Sequence, residues 1–306
     1  MSRRWGPGRP CPAGAILGAQ RRGPGDPTYR IDARGRHWRG LRTPDGPATL
    51  LVEQFAGDEV YAAGWGPGAA WAVESVPGLL GAEDRVDDFE PRHELIAEAW
   101  RRNPHHRIGR TGLVMEALVP AIIEQKVTGQ EAFAGFLPLV QRFGEQAPGP
   151  GEALRLWVQP NPKIIAAIPS WEWLKLHIDP ARSRAIVQAA RVAESLERIV
   201  DCEPAEADLR LRSLPGVGVW TSAEVRLRAL GDADAVSFGD YHVAKEVGWA
   251  LLGHDIDDVE LGVLLEPWRP HRGRVVMLVG LSGSRRPRHG PRMAPRIHLP
   301  ARRIGR

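Results

Sequence analysis

Cysteine is nearly absent from this sequence, which has only Cys11 and Cys202 among its 306 residues. The two lie in unlike contexts, and they are too few for the disulfide framework that holds many small secreted proteins together. They are also too few for an iron–sulfur cluster, which takes a full set of cysteine ligands. We therefore expect an intracellular protein without a cofactor held by cysteine.

Long apolar runs are also missing. The best of them, Val275 to Leu281, covers seven residues, whereas a membrane-spanning helix needs about 20. No stretch joins a basic start, a long apolar region and a cleavage site of small residues, which are the features of a secretory signal. We expect a cytoplasmic protein, associated with the nucleoid, that makes no contact with a membrane.

Positive charge is unevenly distributed along the chain. The formal net charge is +4, yet residues 285–306 hold eight arginines and no acidic residue, so the rest of the chain is net negative. We expect residues 285–306 to form a disordered, solvated, Arg-rich tail. The alternative is that this tail has an unspecific attraction for phosphate. The charge alone does not establish DNA binding.

The remaining sequence divides into three parts. Residues 1–27 are rich in Arg, Gly and Pro without a period, which predicts a flexible arm. Residues 28–90 alternate short apolar stretches such as ATLLVEQF with turn signals such as TPDGP, which predicts a small antiparallel β-rich domain. Residues 91–284 carry helical apolar spacing between short Gly, Pro and Asn breaks. The sequence therefore predicts an α+β fold, mainly an α-helical bundle preceded by a β-rich N-terminal domain.

One turn between two predicted helices is unusually tight. In LPGVGVWT, residues 214–221, one helix ends at the proline and the next begins just after the second glycine. Gly216 and Gly218 remove two Cβ atoms from the turn, so that another backbone can approach closely. The free N–H groups at the start of the next helix can then bind a phosphate. The pattern favours a grip on a nucleic-acid backbone, with a plain corner between two helices as the alternative.

The hairpin and the segment after it resemble a known signature. LPGVGVWT followed by GDADAVSFGD is similar to the motif of the helix-hairpin-helix DNA glycosylase superfamily, above all its DNA-3-methyladenine glycosylase II branch. EALVPAIIEQKVTGQEA and EPWRPHRGRVVMLV resemble further segments of that branch, and the resemblance covers residues 28–283. It implies a helix-hairpin-helix motif that binds the DNA backbone through Leu214, Gly216, Val217, Gly218, Val219 and Thr221.

The resemblance also implies that Asp240 is the catalytic carboxylate. Breaking the bond between base and sugar passes through a cationic sugar, which a fixed carboxylate stabilises. The residues agree with that role, because Asp240 follows Gly239 and precedes the helical pattern YHVAKEVGWALL, where we expect it to cap the helix. The alternative is that Asp240 is a helix cap and nothing more.

A pocket for a base that has left the DNA stack is a further implication of the resemblance. Trp220 is at the position where the branch carries an aromatic pocket wall, and a ring face attracts the positive charge of alkylated purines. Glu224 and Met277 are at pocket positions where the best-known members have aromatic rings, which leaves the range of lesions open. Gln125 and Lys126 fall in the wedge loop that fills the gap left by the base, where an apolar residue would be typical in place of Lys126. Lys126 could fill the gap with its aliphatic stem, and the alternative is an ordinary exposed loop lysine.

The residue at position 220 also indicates which group attacks the sugar. Relatives that nick the strand have a lysine there, which attacks the sugar to form a Schiff base. This chain has Trp220, and its four lysines lie outside the hairpin. We therefore expect water to be the nucleophile and no cofactor to be required. No metal site made of side chains is expected, although the hairpin carbonyls could hold a monovalent cation, as they do in relatives.

These features predict a monofunctional DNA glycosylase of base-excision repair. It would hydrolyse the N-glycosidic bond of alkylated purines of the 3-methyladenine type after base flipping. Its partner would be double-stranded DNA that contains damaged bases, and we expect a monomer. Two alternatives stay open: a non-catalytic helix-hairpin-helix protein that binds DNA, and a glycosylase for oxidised or deaminated bases.

Overall fold

The computed structural model describes residues 1–55 and 58–287 of the chain. It has a five-stranded antiparallel sheet followed by a helical bundle, so the predicted α+β fold is confirmed. Within these ranges no helix is long and apolar enough to cross a membrane. Of the predicted tail, residues 288–306 lie outside the described residues. Near its start, Arg286 binds both carboxylate oxygens of Asp255.

The sheet consists of β1 (Ser2–Trp5), β2 (Tyr29–Ile31), β3 (His37–Thr43), β4 (Gly46–Gln54) and β5 (Val60–Trp65). Its strand order is β1-β5-β4-β3-β2, and every neighbouring pair is antiparallel. A short second sheet pairs β6 (Glu145–Gln146) with β7 (Trp157–Val158).

Fifteen α-helices lie within the described ranges. Three belong to the sheet layer: α1 (Ala13–Gly18), α2 (Ala69–Glu74) and α3 (Val76–Leu79). The other twelve form the bundle: α4 (Glu94–Arg102), α5 (Val114–Ile123), α6 (Gly129–Phe143), α7 (Pro162–Ala167), α8 (Ser170–Lys175), α9 (Pro180–Arg191), α10 (Ala193–Glu197), α11 (Pro204–Arg212), α12 (Val219–Val225), α13 (Val243–Leu252), α14 (Asp258–Leu265) and α15 (Arg272–Ser282).

Both faces of the larger sheet are covered, because its apolar residues lie on both sides. On one face Leu50 and Val52 of β4 share a core with α1, α2 and α3. On the other face Leu51 packs with Leu156 and Val158, next to the small second sheet. The sheet layer is therefore continuous with the rest of the fold.

The prediction of a flexible arm at residues 1–27 is wrong, because the structure folds this stretch into the sheet layer. β1 pairs with β5, with Ser2 opposite Ala63. α1 buries Ile16 and Leu17 in the core that it shares with the sheet. The high content of Arg, Gly and Pro concealed an edge strand and a short helix.

The bundle has two hydrophobic cores, and the segment that carries the candidate site runs from one to the other. The first core packs α5, α6, α9 and the hairpin residue Val217, and it includes Val225 of α12. The second core packs α4, α13, α14 and α15. α12 continues as a π-helical segment, Arg226–Leu230, and the loop after it enters the second core at Val236. The candidate site therefore joins elements of both cores.

Candidate active site

The hairpin between α11 and α12 is fixed from below by its apolar residues. Val217 is buried in the first core, Leu214 packs against that core, and the Val217 N–H donates to the Leu214 carbonyl at 3.0 Å. Gly216 has φ +87, and a Cβ there would lie 2.9 Å from the Cβ of Ala185. Position 216 therefore requires glycine both by conformation and by space.

The outer side of the hairpin is open. A Cβ on Gly218 would meet no atom within 4 Å, and this residue has extended backbone, with φ −100 and ψ −173. Val219, which begins α12, is 40% exposed, and no side chain caps the helix. The first N–H groups of a helix have no partner in a preceding turn. Those of α12 are therefore placed beside exposed glycines, where a phosphate oxygen can bind.

A glutamine from the predicted wedge loop braces the hairpin. The Gln125 side-chain amide donates to the Gly216 carbonyl at 2.9 Å and to the Thr221 hydroxyl at 2.8 Å. Its neighbour Lys126 is exposed and has φ +55, a conformation uncommon for residues other than glycine. The structure thus brings the predicted wedge loop and the hairpin together, with Gln125 as the contact and the Lys126 side chain left in solvent.

Two residues predicted to bind the DNA backbone have buried side chains, so they could contact DNA only through the main chain. Thr221 is 2% exposed and Val217 is 6% exposed, so neither offers a side chain to a phosphate. The Thr221 hydroxyl accepts the Gln125 amide, while Val217 packs in the first core. The motif alone could not separate them from the exposed residues of the same hairpin, because burial depends on the helices packed beneath it.

Asp240 lies three residues before α13, and three hydrogen bonds orient its carboxylate. Oδ1 accepts the N–H groups of His242 at 2.7 Å and of Val243, the first residue of α13, at 3.2 Å, although His242 and not Asp240 occupies the N-cap position. Oδ2 accepts the indole N–H of Trp220 at 3.1 Å. Since the residue is half-buried, its carboxylate is fixed in direction and still partly open to solvent.

Trp220 brings the hairpin and this carboxylate into one site. It is the second residue of α12, directly after the exposed start of the helix, and it is half-buried. The edge of its ring is bound to Asp240, although 20 residues separate the two in sequence. This arrangement can bind a backbone phosphate at the hairpin and place an adjoining sugar beside the carboxylate.

The other two predicted pocket residues have different surroundings. Glu224, one helical turn after Trp220, accepts the Ser237 hydroxyl at 2.6 Å and pairs with Arg228 at 3.0 Å. Met277 of α15 is partly buried and packs against the second core. Neither Ser237 nor Arg228 stood out in the sequence, because a loop serine and a helix arginine are too common to signal a site.

In the described part of the chain, no group of three or more His, Cys, Asp or Glu side chains is arranged to hold a metal ion. A monovalent cation at the hairpin would use backbone carbonyls instead. That cation stays a prediction.

The fold and the hairpin define a class of proteins. No family model matches the chain. A solved 3-methyladenine DNA-glycosylase from Archaeoglobus fulgidus is similar over 90% of this chain and 96% of its own, with a TM-score of 0.76 and 18% identity. An 8-oxoguanine glycosylase/lyase from Clostridium acetobutylicum is similar over 85% of this chain and 90% of its own, with a TM-score of 0.65 and 12% identity. The chain therefore has the helix-hairpin-helix DNA glycosylase fold, as the sequence resemblance implied.

Curated relatives give a narrower resemblance. Two proteins from Mycobacterium tuberculosis, strains CDC 1551 and H37Rv, are each described as a "Probable bifunctional transcriptional activator/DNA repair enzyme AlkA". They are 30% identical to this chain over 200 residues. The match covers 61% of this chain and 39% of the relatives, so the chain spans well under half of their length.

Proposed function

We propose that this protein is a monofunctional DNA glycosylase that hydrolyses the N-glycosidic bond of alkylated purines in double-stranded DNA. The observation that carries the proposal is the hydrogen bond between Trp220 and Asp240, next to the open glycine hairpin. It joins a fixed negative charge, an aromatic ring and a helix start that can bind phosphate, which are three things the reaction needs. The glycosylase fold supports the same activity.

DNA would be held by its backbone. Gly218 leaves room for a phosphate oxygen to approach the N–H groups at the start of α12. Backbone contacts position a duplex without reading its bases, which suits an enzyme that acts on damage in any sequence. Lys126, next to the anchored Gln125, would fill the gap with its aliphatic stem and place its ammonium group near a phosphate.

Asp240 would stabilise the sugar as the base departs. The bond from C1′ to the base nitrogen breaks, and its electron pair leaves with the base, which neutralises the positive charge of an N-alkylated purine. The sugar becomes an oxocarbenium ion, and the negative charge of Asp240 stabilises it. A water molecule then forms the new bond to C1′ and gives its proton to solvent. The ring of Trp220 would attract the cationic base before it leaves.

Water is the proposed nucleophile because no lysine lies in the hairpin. Strand-nicking relatives carry a lysine at the position of Trp220, whose N–H is here bound to Asp240. Lys245 is the lysine nearest to Asp240 in sequence, and its ammonium group lies 4.0 Å from the centre of the Tyr241 ring in a cation–π contact. A Schiff base between this enzyme and the sugar is therefore not expected.

A glycosylase for oxidised bases is the second candidate. The likeness in fold to the 8-oxoguanine glycosylase/lyase favours it. Two observations favour the first candidate over it. Trp220 replaces the lysine that strand cleavage needs, and the curated relatives are described as AlkA.

A panel of lesions in duplex oligonucleotides tests the proposal. Release of an alkylated purine, 8-oxoguanine or uracil would be measured by chromatography, and strand cleavage by gel electrophoresis. We expect release from the alkylated duplex and an abasic strand that stays intact until alkali is added. Release of 8-oxoguanine or uracil alone would favour a glycosylase for oxidised or deaminated bases. Binding without release from any duplex would indicate a non-catalytic DNA-binding protein.

A further inference from the structure

The turn that carries Asp240 is held by two carboxylates from different helices. Ser237 donates its hydroxyl to Glu224 of α12 at 2.6 Å, and Gly239 donates its N–H to Asp258 of α14 at 2.9 Å. Within the turn, the Asp240 N–H donates to the Ser237 carbonyl at 3.1 Å. Ser237 therefore links Glu224 to the backbone of the proposed catalytic residue.

The turn needs such restraints because of its glycine. Gly239 has φ +87 and is exposed, and a Cβ on it would meet no atom within 4 Å. Since glycine restricts the backbone least, the neighbouring helices must hold the turn. Ser237 donates to a carboxylate that is largely shielded from solvent, because the Glu224 side chain is 13% exposed and its other oxygen is paired with Arg228.

The same helix makes the side-chain contact to the catalytic carboxylate. Trp220 and Glu224 are one helical turn apart and lie on the same face of α12. Trp220 binds the Asp240 carboxylate, and Glu224 binds Ser237 in the turn that precedes it. α12 thus fixes the turn at two points, so the geometry of ring and carboxylate depends on both contacts.

We propose that Glu224 is a positioning residue that acts through Ser237 to hold the Asp240 carboxylate against Trp220. This inference rests on the proposed function and gives Glu224 a role distinct from that of a pocket wall. A phenyl ring at position 224 could neither accept the Ser237 hydroxyl nor pair with Arg228. The hydrogen bond therefore needs both the carboxylate at position 224 and the hydroxyl at position 237.

Variants at both ends of the hydrogen bond test the proposal. Ser237→Ala and Glu224→Ala should each lower the single-turnover rate of base release about 10-fold to 100-fold, as expected for a slightly misplaced catalytic group. Glu224→Gln keeps an acceptor oxygen for Ser237 and should recover most of the rate. The double variant should be no slower than the slower single variant, because the two changes remove the same hydrogen bond. The Kd for duplex DNA should stay within about 2-fold of wild type, since neither residue belongs to the hairpin that would bind the DNA backbone.

A second readout does not require activity. The indole N–H signal of Trp220 in a nitrogen–proton correlation spectrum, assigned with Trp220→Phe, reports its bond to Asp240 and should shift in Ser237→Ala. Glu206→Ala is the matched control, because Glu206 forms the same kind of i,i+4 ion pair with Arg210 on α11. We expect this control to leave the rate and the indole signal unchanged.

The two readouts separate the positioning role from the proposed function. Slower release with unchanged DNA affinity and a shifted indole signal supports the positioning role. A wild-type rate and an unmoved indole signal in Ser237→Ala would overturn it. If the wild-type protein released no base, the proposed function would fail, and the indole signal would still decide whether Glu224 and Ser237 hold Asp240.

Discussion

At the scale of single residues, the two hairpin glycines differ in why they are glycine. Gly216 has positive φ and a neighbour, Ala185, that leaves no room for a Cβ. Gly218 has φ −100 and open space around it, so the fold would tolerate alanine at position 218. Position 216 therefore requires glycine for folding, whereas at position 218 the reason for glycine would be the proposed close approach of DNA.

This difference gives a paired prediction. Gly216→Ala should lower the free energy of unfolding by about 1–3 kcal/mol, because alanine is strained at positive φ and its Cβ would collide with Ala185. Gly218→Ala should change that free energy by less than about 0.5 kcal/mol but weaken DNA binding, because its methyl group would stand between the hairpin and a phosphate. Denaturant unfolding and titration with duplex DNA measure both effects. Wild-type DNA affinity in Gly218→Ala would contradict the proposed grip.

At the scale of elements, the sequence predicted the hairpin and the capping aspartate because both signals are local. Two glycines around one apolar residue specify the turn within LPGVGVWT, and Gly239 before Asp240 marks a helix start. The structure has a hairpin at the first position. At the second, Asp240 accepts the N–H groups of His242 and Val243, although the helix begins at Val243 with His242 as its N-cap. Such features depend on residues a few positions apart, so a single sequence contains them.

The contacts that hold these elements in place were beyond prediction because they join distant parts of the chain. Gln125 binds Gly216, which is 91 residues away. The helical spacing of residues 91–284 likewise predicted ordinary helices, whereas residues Arg226–Leu230 are π-helical. Two N–H groups from outside, those of Thr111 and Gly112, donate to carbonyls of that segment. Such partners are selected by packing and leave no local signal.

At the scale of the whole molecule, buried ion pairs tie the N-terminal region to the bundle. Arg39 of β3 pairs with Glu116 of α5, and burial raises the pKa of Glu116. Arg22 is 7% exposed and pairs at 3.3 Å with Glu124, which is 102 residues away. From composition alone such arginines are expected to be exposed to solvent. The flexible arm predicted at residues 1–27 was wrong for this reason.

Two histidines should make the fold sensitive to acid. Burial lowers the pKa of His37 and of His106 below the ordinary value of 6.5. The unfolded chain therefore binds protons more readily than the folded one, and stability rises with pH wherever that holds. The free energy of unfolding should fall as the pH drops from about 7 to about 5.

Urea unfolding at a series of pH values checks this expectation. His37→Gln and His106→Gln should each flatten the dependence, because glutamine does not titrate in this range. The same pH dependence in the wild-type protein and in both variants would show that the two histidines do not contribute.

The central claim is that Asp240 supplies the charge that makes base release possible, and a comparison of two aspartate variants tests it most directly. Asp257 accepts two N–H groups at the start of α14, and Asp240 likewise accepts those of His242 and Val243 at the start of α13. Asp257→Asn therefore controls for loss of charge at a helix start. The measurement is the single-turnover rate of base release from an alkylated duplex. We expect Asp240→Asn to bind this duplex like the wild type and release base at least about 100-fold more slowly, while Asp257→Asn keeps the wild-type rate. Release by Asp240→Asn at the wild-type rate would contradict the claim.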